Sequence, residues 1–207
     1  MAVAHICGTA VSAVVLSIDL DDNLQMHRKE KKTYNIPGHT HYLTFSCYQQ
    51  WPLLCKDTSR QWVIESIKQA KKEFEFEIYA YVIMPEHVHL LIKPRLEIYK
   101  IERILAGLKR PVSRRARQYL EEKGELEFLN KLMVEKGGKK IFRFWLPGGG
   151  YDKNISKEKA IKPIIEYMHK NPVRRGLVEK STDWIWSSAQ YWAGWDNVPL
   201  DMDSIYY

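Results

Sequence analysis

A chain of 207 residues has room for one domain, or one domain with an appendage, and with 45% apolar residues it can bury a sizeable core. Lysine and arginine outnumber aspartate and glutamate by 32 to 25; the net charge of +7 suits an anionic partner, usually nucleic acid, as well as a merely soluble basic surface. Three cysteines without C-x-x-C spacing give no disulfide framework and no thiolate zinc site, and no apolar run approaches the roughly 20 residues that span a membrane, so a cytoplasmic protein is expected. The apolar stretch Ala10–Ile18 is short and has no lysine or arginine before it, which makes it a poor signal peptide.

The first 25 residues show no clear period. Residues 1–33 are expected to be a disordered leader, or a consequence of start-codon choice with Met26 as the natural start; an extra strand over 11–18 is the alternative. From His39 the pattern sharpens. HTHYLTFSC alternates and is rich in β-formers, which predicts strand one. DTSRQWVIESIKQAKKE offers Asp57 or Ser59 as an N-cap and spaces Trp62, Val63, Ile67 and Ala70 as a helix does, which predicts helix one. FEFEIYAYVIM alternates strictly and is strand two, Pro85 and Glu86 make a turn, and HVHLLIKP is strand three. IYKIERILAGLKRPVSRRARQYLEEKG reads as helical, bent or broken at Pro111. KKIFRFWL is predicted as strand four and PGGGYDKN as a loop. ISKEKAIKPIIEYMHKNP is a helix that begins or kinks at Pro163 and ends before Pro172. The remaining DWIWSSAQYWAGW is aromatic and irregular. The order βαββαβ, then a helix, is the split βαβ, ferredoxin-like pattern of an α+β fold: an antiparallel sheet with helices packed on one face.

His87 and His89 point to one face of strand three while Val88 points to the other. Neutral imidazole is a common metal ligand, and two on one face can grip a divalent ion with positions left open. A bare H-x-H also arises easily by chance, two ligands do not complete a site, and His39 with His41 has the same spacing. Tyr167 and Asn171 are four apart and share a helical face that His169 does not. They read either as a core tyrosine and a helix cap, or as a phenol and an amide oxygen beside a metal. Lys109, Arg110, Arg114, Arg115 and Arg117 crowd nine residues, and Arg174 and Arg175 follow the last helix; such groups contact phosphates or simply meet solvent. Trp184, Trp186, Trp192 and Trp195 could stack on unpaired bases or pack against the domain. PGGGYD lacks the spacing of a nucleotide-phosphate loop.

VIMPEHVHLLI, YMHKNPVRRGLV and DWIWSS, together with HYLTF and FRFWLPGGGYDKNI, closely resemble the single-tyrosine HUH transposases, in the branch of REP-associated tyrosine transposases. The resemblance runs over nearly all of residues 34–192 and sets 193–207 apart as a C-terminal tail. It implies a ferredoxin-like fold whose last helix carries a nucleophile. Position by position, it implies His87 and His89 as ligands of a divalent metal, Mg²⁺ or Mn²⁺, with Asn171 as the third ligand. Tyr167 would be the nucleophile that cuts single-stranded or hairpin DNA, leaving a 5′-phosphotyrosine and a free 3′-hydroxyl. Lys109, Arg110, Arg114, Arg115, Arg117, Arg174 and Arg175 would hold the DNA, in the cytoplasm at the nucleoid. The family includes intertwined dimers as well as monomers, so a homodimer is one expectation, with Tyr167 acting in cis or in trans. The leader before Met26 and Pro163 within the nucleophile helix depart from the family's pattern, and Tyr151 in the glycine-rich loop is the competing nucleophile. The contrasting function is a DNA-binding protein without catalysis, such as a repressor of repeated elements; its mark would be a missing histidine or tyrosine, and none is missing.

Overall fold

The computed structural model describes residues 34–196 and 198–205, so the leader, and with it the alternative strand over 11–18, lies outside the described residues. Strands β1 (Thr40–Ser46), β2 (Phe76–Ile83) and β3 (His87–Pro94) join one main sheet, β4 (Met133–Lys136) and β5 (Lys139–Phe142) form a separate ribbon, and β6 (Tyr151–Ile155) returns to the main sheet. The main sheet runs β2-β3-β1-β6 with every neighbouring pair antiparallel. β1 and β2 are therefore parallel to each other with β3 between them, the split βαβ arrangement the sequence predicts.

Helices α1 (Asp57–Phe74) and α2 (Ile101–Glu122) bury one sheet face. Their Ile64, Ile67, Leu105 and Leu108 pack with Leu43, Phe45, Val88 and Leu90 in a single core. β2 shifts phase at a bulge between Ile78 and Ala80, so that Ile78, Tyr81 and Ile83 all reach this core. α2 runs unbroken through Pro111, so the break that was one expectation there does not occur. Proline has no N–H for the carbonyl of Gly107, four residues back. Ser66 of α1 lies beside this gap: its hydroxyl, with one proton to give, is 2.6 Å from the Leu108 carbonyl oxygen and 3.3 Å from that of Gly107.

The fourth strand differs from the sequence prediction. Within 139–146 only Lys139–Phe142 is a strand, and it pairs with β4, not with the main sheet. Gly137 and Gly138, at φ of 58° and 71°, make the tight turn between them, and this two-residue glycine turn is the hairpin signal the sequence offers. The fourth strand of the main sheet is β6, inside the stretch read as a loop. β6 lies at the sheet edge, and YDKNI lacks the run of β-branched and aromatic residues that marks a buried strand.

A short helix α3 (Leu126–Lys131) leads into the ribbon. The last long helix is shorter than expected: α4 spans Ile161–His169. Pro163 sits in its first turn, where a missing N–H costs little, and the short α5 (Asn171–Arg174) follows. Asn171 is thus helical, not pushed out of that geometry by Pro172 as the sequence suggests. α4 lies against β2, and its buried Ile161, Ile165 and Met168 stand apart from the main core, so it covers the opposite sheet face, the one that carries His87 and His89.

The aromatic C-terminal stretch is ordered along the β2 edge. Ile83 N–H bonds Trp186 O at 2.9 Å, Ser188 N–H bonds Tyr81 O at 3.0 Å, and the indoles of Trp184 and Trp192 donate to Ile83 O and Tyr79 O. These bonds satisfy polar groups that a bare edge would expose. Three of the four tail tryptophans are committed in this way, since Trp186 donates to Asp57; Trp195 is half exposed. The segment set apart as a tail also returns to the domain: Leu200 is in the core, and Asp203 exchanges bonds with Ile78. Among the described residues no helix is long and apolar enough to cross a membrane.

Candidate metal and nucleophile site

β3 pairs with β1 so that His89 stands directly opposite Thr44, and His87 opposite Ser46. Strand alternation sends Tyr42, Thr44, His87 and His89 to the face beneath α4, and Leu43, Phe45 and Val88 to the core. The two Nε2 atoms of His87 and His89 face each other at 2.9 Å. On their far sides the rings are held differently. Nδ1 of His89 is 2.9 Å from both the Tyr42 and Thr44 hydroxyls, which can either donate or accept. Nδ1 of His87 is 3.0 Å from Oε1 of Glu86. Burial, reinforced by His87 and Arg174 nearby, pushes the His89 imidazole down to about 3, so it is neutral at physiological pH and keeps one nitrogen lone pair to offer.

This donor set fits a divalent ion. Two nitrogens bound at right angles, each about 2.1 Å from one ion, are about 3.0 Å apart, close to the observed spacing. Among the described residues no three or more His, Cys, Asp or Glu side chains group to hold a metal. An ion here would take two imidazoles and fill its other positions with an amide oxygen, water or phosphate, the open coordination that catalysis on a substrate requires.

The other H-x-H pair is arranged differently. His41 is fully buried, with Nδ1 2.8 Å from Asp152 and Nε2 2.7 Å from the Tyr99 hydroxyl, which itself donates to Ile36 O. Both of its nitrogens are spent on fastening β6 and the start of α2 to β1. His39 lies at the strand entrance, 3.5 Å from the Asn154 amide.

Tyr167 lies on α4, 48% exposed, with the Arg174 guanidinium 4.4 Å from its ring centre. Its helix covers the histidine face, and Tyr42 on that face, raised chiefly by burial, is raised further by Tyr167 and Tyr151 and lowered by Arg174. Tyr151 is also close, its ring edge-on to Tyr42 with centroids 5.9 Å apart. Asn171 is buried. Its amide N–H groups donate to the carbonyls of Tyr167 and Met168 at 3.1 and 3.2 Å, and its Oδ1 accepts from Arg174 at 2.7 Å. No hydrogen bond joins it to the histidines.

The basic residues separate into two groups. Arg174 and Arg175 stand beside the site, with Arg175 paired to Glu86 at 3.0 Å. The α2 cluster lies on the outer side of the helix that buries the opposite sheet face, away from the histidines. Within it Lys109, lowered to about 8 mainly by burial, donates to the carbonyls of Leu146 and Gly148. Arg115 pairs with Glu65 and Arg117 with Glu121, leaving Arg110 and Arg114 the exposed arginines of the cluster outside such pairs.

Residues 38–133 match the family described as transposase IS200 like. A curated Haemophilus influenzae protein, provisionally named a REP-associated tyrosine transposase, is 27% identical over 125 residues, covering 58% of this chain. The resemblance read from the sequence is borne out. The chain spans 63% of that relative's length. A solved structure of a REP-associated tyrosine transposase bound to a REP hairpin superposes with a TM-score of 0.60 at 21% identity, covering 86% of this chain and 94% of that one. A structure from Deinococcus radiodurans, provisionally named a transposase, overlaps more loosely, with a TM-score of 0.41 at 18% identity over 68% of this chain and 96% of that one. With the first of these structures this chain shares its fold, an antiparallel four-stranded sheet with helices. The family match includes both histidines and stops before Tyr167 and Asn171.

Sequence reasoning passes over Glu86, Tyr42 and Thr44. Glu86 reads as part of a turn, although it adjoins His87 in PEHVH. Tyr42 and Thr44 alternate with apolar neighbours in HYLTF, the pattern of a polar face on a strand.

Proposed function

We propose that this protein cuts and rejoins single-stranded DNA as a transposase, with Tyr167 as the nucleophile and Mg²⁺ or Mn²⁺ held by His87 and His89. The observation that carries the reading is the pair of Nε2 atoms 2.9 Å apart on the sheet face covered by α4, the helix of the half-exposed Tyr167. The relative solved with a REP hairpin supports hairpin DNA as the substrate.

A phosphodiester resists attack because its oxygens are anionic and its leaving alkoxide is poor. A divalent ion, when bound, polarises the scissile phosphate and offsets the developing charge. The phenol oxygen of Tyr167 forms a bond to phosphorus, and the bond from phosphorus to the 3′ oxygen breaks. The phenol gives up its proton, and the 3′ oxygen leaves as a hydroxyl. One ester replaces another, so the step reverses without ATP and the strand can be joined to a different end. Arg174 holds the Tyr167 ring by stacking and, with Arg175, places positive charge where the DNA phosphates approach. Asn171 fixes the end of the tyrosine helix through its amide N–H groups, and its oxygen keeps a second lone pair for the ion.

Incubation with single-stranded hairpin DNA from the flanking genome and Mn²⁺, followed by denaturing electrophoresis, tests this reading. A covalent adduct should form, vanish with chelator, and be absent from the His87→Ala/His89→Ala protein. Binding without any adduct would instead identify a DNA-binding protein that does no chemistry.

A further inference from the structure

Glu86 lies between the two histidines' strand and the turn that follows the tyrosine helix. Its side chain is 12% exposed, and a single oxygen, Oε1, meets two partners: His87 Nδ1 at 3.0 Å and Arg175 Nη1 at 3.0 Å. The backbone around it is fixed on both sides, with Cys47 N–H on Glu86 O and Met84 N–H on His87 O, each at 2.8 Å. The carboxylate cannot swing away without breaking an ion pair and a hydrogen bond together.

The chemistry of the partners gives this geometry a direction. An ionised carboxylate only accepts, so Nδ1 of His87 must carry a proton to face it. Nε2 of His87 is then the nitrogen left to offer a lone pair, and it is the one directed at His89. His89 is under no such constraint, because the hydroxyls of Tyr42 and Thr44 serve either tautomer. The opposed Nε2 atoms share one proton while no ion lies between them. With His87 fixed by Glu86, His89 is the ring free to move its proton to Nδ1 when an ion arrives. Arg175 follows α5, one residue after the arginine stacked on Tyr167. The carboxylate therefore joins the strand that holds the ion to the segment that orients the nucleophile.

We propose that Glu86 is a positioning residue that sets the His87 tautomer and, through Arg175, keeps the histidine pair in register with the Tyr167 helix. The inference rests on the reading of His87 and His89 as the metal pair, but its first test does not need a metal. Long-range ¹H–¹⁵N NMR of the metal-free protein at about pH 8, above the ordinary histidine range, reads which nitrogen of His87 carries hydrogen. Nδ1 should be protonated in the unaltered protein and lose that preference in Glu86→Ala. A bare Nδ1 in the unaltered protein would overturn the proposal. In a second measurement, Mn²⁺ titration by calorimetry, Glu86→Ala should bind about 10- to 100-fold more weakly, the usual effect of removing a carboxylate behind a liganding histidine. Glu86→Gln, which keeps the shape and an acceptor oxygen, should lose less and guards against a folding defect in the alanine variant. Equal Mn²⁺ affinity in all three proteins would also overturn it. An unaltered protein that takes up no Mn²⁺ would defeat the functional reading instead, and the NMR result would still decide the role of Glu86.

Discussion

His169 and His89 are buried imidazoles, and both are costly to protonate. Burial lowers His169 to about 4, and burial with His87 and Arg174 nearby lowers His89 to about 3. His169 accepts or donates a 2.8 Å bond with Ser188, whose hydroxyl receives the N–H of Tyr81, so it fastens the tyrosine helix to β2. In the unfolded chain a histidine takes its proton near pH 6.5. Between about 6.5 and about 4 the unfolded state thus binds more protons than the folded one, and stability rises with pH. It is complete above the unfolded value and falls by about 1.4 kcal/mol per pH unit for each such histidine as the solution is acidified. Urea unfolding across that window should show a smaller pH slope in His169→Gln by one histidine's share. Identical slopes would mean that His169 is protonated in the folded protein. A second expectation concerns the metal pair: Mn²⁺ binding should be lost in His87→Ala/His89→Ala and persist in His39→Ala. Calorimetric titration would expose the reverse pattern, which would transfer the site to β1.

The packing of α1 on α2 depends on how Pro111 is accommodated. Ser66 offers its hydroxyl to the Leu108 carbonyl and, at longer range, to the Gly107 carbonyl that the proline leaves short of a donor. Ser66→Ala should destabilise the domain by about 0.5–1.5 kcal/mol, the net worth of one hydrogen bond. The loss should shrink in a Pro111→Ala background, where the alanine restores the missing N–H, and a double-mutant cycle by urea unfolding would show that coupling. Strictly additive losses would contradict it. The same elements show what the sequence made legible. β1, β2, β3 and α1 carry strong periodicity because each buries a continuous apolar face, and their order alone suggested the split βαβ fold. β6 was hidden because an edge strand needs few β-formers, and its attachment comes from long-range contacts: Asp152 to His41, and the close approach of Gly150 to β1. Gly150 sits at φ of 71°, and an added Cβ would collide with the Thr44 carbonyl oxygen. At the site, the H-x-H spacing was visible, but local context, IPG before His39 and LLI after His89, separates the two pairs only weakly. Asp152 and Tyr99, which occupy His41, come from distant parts of the chain.

At the scale of the whole molecule, the net charge of +7 favours an anionic partner, but the placement of the arginines decides how DNA would run. Arg174 and Arg175 stand by the tyrosine, whereas Arg110 and Arg114 lie on the outside of α2. If DNA wraps from one face to the other, Arg110→Ala/Arg114→Ala should weaken binding. The slope of log affinity against log salt should then flatten by about 0.7 for each phosphate no longer neutralised, the value for single strands. Titrations at several salt concentrations read that slope directly. An unchanged slope would confine the DNA to the histidine face and make the α2 cluster a solvated surface.

The proposed chemistry depends on which tyrosine becomes covalently joined to DNA. Tyr167 and Tyr151 both border the histidine face, and both are partly exposed. The deciding measurement is mass-spectrometric mapping of the protease-digested adduct formed with single-stranded hairpin DNA and Mn²⁺, run beside the Tyr167→Phe protein. The account predicts a DNA-linked peptide containing Tyr167, and a Tyr167→Phe protein that still binds Mn²⁺ and DNA but forms no adduct. An adduct on Tyr151, or normal cleavage by Tyr167→Phe, would contradict it.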